Sequence, residues 1–259
     1  KILNLLSFEE IKFVMGHEIG HFLLSHNIED NELDHSQESY IKKRAQEISV
    51  DRIGLWACKD LNIATRAIVK TLSGLNEDYI RFDMQAFLKQ LDEDAALKDK
   101  AGQFSTHPSF LIRAKALLRF SLSDQFQKYA NNSKGSSLQE IDQLIRKDLD
   151  LYIDKELRLD IKNSKEMVSF WGYAYAFVKK GSFSKKDQDI FSQKFGQTKK
   201  DKLINMIKDQ SSDFAIKACK DRFFKSIIGF KSTAPNLAKK ELNLLLLEIE
   251  AQTEQENFH

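Results

Sequence analysis

The segment His17-Glu18-Ile19-Gly20-His21 has residue types and a spacing that can do chemistry. Residues four apart on a helix lie one turn apart on the same face, with about 5–6 Å between their Cβ atoms. Two imidazoles so placed can converge on one zinc ion at about 2.0–2.1 Å. Glu18 is rotated about 100° off that face, beside a metal rather than on it. That placement suits a general base acting on metal-activated water.

A third ligand is needed, and Glu47-Ile48-Ser49-Val50-Asp51 supplies candidates 26 residues after His21. On a helix Glu47 and Asp51 share a face, so one carboxylate can bind metal while the other, a turn later, anchors a ligand imidazole. Gly54, Ala57 and Cys58 lie near the same side. Small residues there let this helix approach the histidine helix closely, as short zinc bonds require. Two histidines and one carboxylate leave the open position that catalytic zinc sites keep and structural ones lack. Phe13, Val14 and Leu24 fall within about 60° of His17 on the helical wheel, so the ligand face is expected to point into an apolar interior. His26, half a wheel from His17, is not expected to be a ligand.

These residues need helices to carry them, and the sequence announces several. Ser7 and Glu10 form a capping box, opening a helix expected to run to about Asn27. An acidic loop follows over residues 28–36, then a helix to about Asp60, and a third from Asn62, read as its cap, to Ser73. Asp78 to Lys100 reads as helical and 101–108 as a loop. Ser109 to Phe120 is helical, with Leu111, Ala114, Leu117 and Leu118 on one face. Asn131 to Ser137 reads as a linker. Beyond it, helices are expected at 138–158, 165–180, 185–195, 199–209, 212–228 and 236–252.

Only 2 Pro and 10 Gly punctuate the 259 residues, which favours a mainly α chain over strand-rich folds. Hydrophobic residues make up 42% and charged residues 30%, enough apolar material for a core. No segment approaches the roughly 20 apolar residues of a membrane span. The longest apolar run, Phe170 to Val178, reads as a buried aromatic stretch. The net charge of +2 excludes a uniformly basic coat. From Lys179 to Lys240 there are 15 Lys and 1 Arg against 6 Asp; spread over several helices, they read as solvated faces, not a nucleic-acid surface. Cys58 and Cys219 have no metal or redox spacing and read as reduced core thiols. Low cysteine usage and no visible leader favour a soluble, cytoplasmic protein; a trimmed leader would leave the same trace in a periplasmic one.

Taken together, SFEEIKFVMGHEIGHFLLSH, QEISVDRIG and STHPSFLIRAKAL resemble the gluzincin metallopeptidase family that includes HtpX, BepA and the CAAX prenyl endopeptidase. That family has an HExxH helix, an ExxxD helix and a later His-Pro followed by Arg, and the three blocks occur here in that order. The resemblance implies zinc held by His17, His21 and Glu47, with Glu18 as the base. It implies Asp51 just behind the metal ligands, His107 at the active site stabilising the oxyanion, and Arg113 bracing the motif carboxylates. Val50 stands where the family usually has a small residue. Most of the family's small substrate-binding sheet is upstream of this chain or missing from it.

The expected architecture is mainly α. A zincin-like catalytic region covers 1–130 and a helical C-terminal domain covers 138–259. The expected function is that of a zinc endopeptidase acting on peptide or unfolded protein, with one Zn2+ per chain. The competing expectation is a helical interaction module with a dormant or structural zincin site, residues 138–259 serving a protein partner or self-association.

Overall fold

In the computed structural model, residues 2–26, 34–79, 83, 108–130, 134–181 and 183–254 are described. Among them the fold is all helix. No strand forms, and the single β-bridge joins Ser123 to Ser136. The helices are α1 (Phe8–Leu23), α2 (Gln37–Cys58), α3 (Leu61–Ser73), α4 (Phe110–Ser121), α5 (Asp124–Tyr129), α6 (Leu138–Leu149), α7 (Lys155–Lys179), α8 (Lys185–Phe195), α9 (Gln197–Ile207), α10 (Ser212–Thr233) and α11 (Pro235–Glu254). No helix among the described residues is long and apolar enough to cross a membrane.

The chain divides into two compact units, one made of Lys1–His35 and Ser39–Leu157, the other of Ser36–Glu38 and Arg158–His259. The first holds α1 to α6. Its core joins Phe13 of α1, Leu55 and Cys58 of α2, Ala64, Ala67 and Ile68 of α3, and Leu117 and Phe120 of α4. A neighbouring cluster packs Ile141, Ile145 and Leu149 of α6 against Ile48, Ile112 and Ala116. Helix α6 therefore sits with the first unit rather than opening the C-terminal domain at 138. Salt bridges from Arg52 to Asp142 and from Arg119 to Asp148, at 2.6 and 2.5 Å, reinforce that packing. The second unit centres on buried Tyr173, Phe177, Phe191, Cys219 and Phe230, so the aromatic stretch from Phe170 is core. Both cysteines are buried and free.

Several helix ends differ from the sequence expectation, each for a local reason. Helix α1 begins at the Ser7–Glu10 capping box as expected, but it stops at Leu23. Ser25 takes a left-handed φ of 57° and turns the chain. Leu24, expected to face the interior, lies past the helix end and is 45% exposed. Asp60, not Asn62, caps α3, its carboxylate accepting from the N–H groups of Asn62 and Ile63. The expected break at 159–164 is absent and α7 runs through it. No Gly or Pro interrupts those residues, and Leu157, Ile161 and Val168 keep a helical apolar spacing. The helix expected over 78–100 lies almost wholly outside the described residues.

Candidate metal centre

Helices α1 and α2 cross at glycines. A Cβ on Gly16 would lie 2.8 Å from the Ala57 Cβ and 3.0 Å from the Gly54 Cα, and one on Gly54 would lie 2.8 Å from the Phe13 carbonyl oxygen. Only bare backbone allows this approach. One turn of α1 onward, it brings His17 and His21 against the carboxylates of α2.

The side chains of His17, His21 and Glu47 each offer a ligand atom, all within 4.8 Å of one another. His17 Nε2 lies 3.3 Å from His21 Nε2. The Glu47 carboxylate is 3.7 Å from His17 Nε2 through Oε2 and 3.4 Å from His21 Nε2 through Oε1. Tetrahedral bonds of about 2.0–2.1 Å require ligand atoms about 3.3–3.4 Å apart, so this donor set fits a zinc ion with little movement. The triad is shielded but reachable: the His17 and His21 side chains are 13% and 19% exposed, and Glu47 is 9%. Glu18, one residue round the helix from His17, is exposed and outside the triad.

Behind the triad lies a buried charge pair. His17 Nδ1 is 2.9 Å from Asp51 Oδ1. Arg113 of α4 donates to Asp51 through Nε at 2.8 Å and Nη2 at 2.6 Å. Its Nη1 comes within 3.6 Å of Glu47. Burial pushes the Asp51 carboxyl up, but the hydrogen bonds and charges of Arg113 and then His17 outweigh it and hold it below the usual range. Burial likewise disfavours the charged Arg113, while the bonds and charge of Asp51, with Glu47, carry its pKa above the ordinary value. An anionic Asp51 accepting from His17 Nδ1–H leaves Nε2 with its lone pair towards the triad.

Thus five of the six described residues singled out from the sequence stand together: His17, His21 and Glu47 at the centre, Asp51 and Arg113 behind them. Glu18 lies beside them on α1. His107 lies outside the described residues. His26 is not one of the three clustered donors, but it touches one of them. Because α1 ends early, His26 folds back and its Nδ1 lies 3.1 Å from His21 Nδ1. The early stop was the missing signal, and nothing in LLSHN marks a helix end as a Gly or Pro would.

Residues 1–42 match the family model described as Peptidase family M48. No curated protein and no solved structure matches the chain. The matched stretch covers α1 with His17 and His21 and ends within α2 ahead of Glu47, so that segment is similar to the M48 peptidases.

Proposed function

We propose that this chain, with its HExxH helix inside a match to the M48 peptidases, is a zinc-dependent endopeptidase acting on peptide or unfolded protein. The observation that carries the reading is the convergence of His17 Nε2, His21 Nε2 and a Glu47 oxygen on one point, with Glu18 adjacent and uncommitted to the triad.

His17, His21 and Glu47 would hold the ion and leave a fourth position open. Zinc bound there supplies Lewis-acid polarisation of the scissile carbonyl and lowers the pKa of water to about 7. Glu18 takes the proton from the attacking water and delivers it to the leaving amine. Asp51, neutralised by Arg113, fixes the tautomer and ring angle of His17. Arg113, close to Glu47 as well, keeps that carboxylate aimed at the triad.

The test joins metal content to hydrolysis. Purified protein should hold about one zinc per chain and cleave unfolded casein, with activity lost on chelation and restored by zinc. His17→Ala and Glu47→Ala should each lose the metal. Zinc retained by both variants would refute the ligand set. Zinc without hydrolysis would favour the interaction-module reading.

A further inference from the structure

We propose that His26 is a positioning residue for His21, holding that imidazole from outside the metal centre as Asp51 holds His17; the inference rests on the metal-site reading above. His21 turns its Nε2 towards His17 and Glu47 at 3.3 and 3.4 Å. Its Nδ1 therefore faces away, and there it meets His26 Nδ1 at 3.1 Å. The two rings meet edge to face, with centroids 5.2 Å apart and planes at 74°.

The backbone places His26 there by abandoning the helix. Had α1 continued, five residues at 100° each would turn His26 about 140° from His21. Instead the chain passes Leu24 and reverses at Ser25, whose φ of 57° is rarely adopted by a residue with a side chain. The Ser25 N–H donates to the Phe22 carbonyl at 3.1 Å, closing the turn. This unfavourable conformation delivers His26 onto the outer nitrogen of a ligand histidine.

One proton arrangement satisfies the contact and leaves His21 able to bind metal. His21 Nδ1–H donates to the lone pair of His26 Nδ1, and His26 carries its own proton on Nε2. His21 Nε2 is then free of hydrogen and points at the triad. The two ligand histidines differ in their anchors: a carboxylate for His17, a neutral imidazole for His21. The second anchor fixes ring angle and tautomer.

The experiment compares His26→Phe, which keeps a ring without an acceptor, with His26→Asn, whose amide oxygen falls near the place of Nδ1. Zinc affinity is read by competition with a chromophoric chelator. The ligand field is read from the visible absorption of Co2+-loaded protein, and the fold from the melting of metal-free protein. His26→Phe should bind zinc about 10–100-fold more weakly and change the Co2+ spectrum at unchanged apo-protein melting. His26→Asn should recover most of the affinity and the wild-type spectrum. If His26→Phe fails to fold, His26→Ala read against His26→Asn makes the same comparison. Wild-type affinity and spectrum in the variant without an acceptor would overturn the inference. So would an equal loss in His26→Asn accompanied by lower apo-protein melting, which marks a structural role. Wild type that takes up no zinc fails the metal-site reading itself. Wild type that binds zinc through His17 and Glu47 but is indifferent to His26 fails this inference alone.

Discussion

Arg113 and Asp51 form a two-point pair, Nε to Oδ2 at 2.8 Å and Nη2 to Oδ1 at 2.6 Å, with Asp51 only 1% exposed. The same Asp51 Oδ1 also faces His17 Nδ1. A single carboxylate thus couples α4 to the metal-site helix. Truncating Arg113 leaves a buried anion with only an imidazole for company. Arg113→Ala should destabilise the first unit by about 3 kcal/mol or more, a fall in Tm of roughly 6–12 °C. Asp51→Asn combined with Arg113→Ala should be less destabilised than the sum of the single variants. An unchanged Tm for Arg113→Ala would mean the pair contributes nothing net.

The glycine crossing gives a second prediction. Gly54→Ala sets a methyl 2.8 Å from the Phe13 carbonyl oxygen, a backbone atom that cannot swing aside, so α1 and α2 must separate. Overpacking costs about 1–3 kcal/mol, against about 1 kcal/mol gained from alanine's helix preference. Zinc affinity should fall, because the separation moves Glu47 from the histidines. Gly229 of α10 is the control, since a Cβ there meets nothing within 4 Å. Gly229→Ala should leave zinc affinity unchanged and raise stability by up to about 1 kcal/mol. Equal zinc affinity in Gly54→Ala and wild type would show that the close crossing is not needed for binding.

Much of this site was legible because its signals are local. The spacing of His17 and His21 defines a helix face, Glu47 and Asp51 define another, and Gly54 and Ala57 mark where the helices meet. Arg113 came from the resemblance alone, since no periodicity singles it out from Arg119, the other arginine on α4. The misread parts were those decided by tertiary packing. Helix α6 joined the first unit because Ile48 and Ile112 offered its apolar face a partner. Helix α7 ran on through polar residues that no breaker interrupts. The early end of α1 was missed because a left-handed serine has no sequence signature of its own. Glu10 was read as a cap only, yet its carboxylate is fully buried and also accepts from Lys70 at 2.8 Å and Arg66 at 3.1 Å.

That last group makes a pH prediction. Burial raises the Glu10 pKa, but the Lys70 hydrogen bond, the Ser7 N–H and the charges of Lys70 and Arg66 bring it below the usual range. The unfolded carboxyl titrates near 4.3. A depressed native value means the stabilisation is complete above that pH and is lost as pH falls through the native value. Against Glu10→Gln, wild type should be more stable by on the order of 2–3 kcal/mol at pH 7. The gap should narrow steadily below about pH 4. Chemical denaturation of both proteins from pH 7 to pH 3 measures it, and a gap that stays constant or widens on acidification contradicts the assignment.

The remaining prediction separates proton transfer from coordination at the HExxH motif. Glu18 is exposed on α1, next to His17 in sequence but turned off the face that His17 and His21 share. Glu18→Gln keeps the shape of the side chain and removes its basicity. Zinc content, melting temperature and the Co2+ spectrum should therefore match wild type, while hydrolysis of unfolded casein drops at least about 10²-fold, as for a lost general base. Equal cleavage by both proteins would trace the activity to a contaminant or to another base. Loss of zinc in a folded Glu18→Gln protein would be the more damaging result. Glu18 would then be a ligand itself, and the three-donor geometry of His17, His21 and Glu47 would not describe how the metal is held.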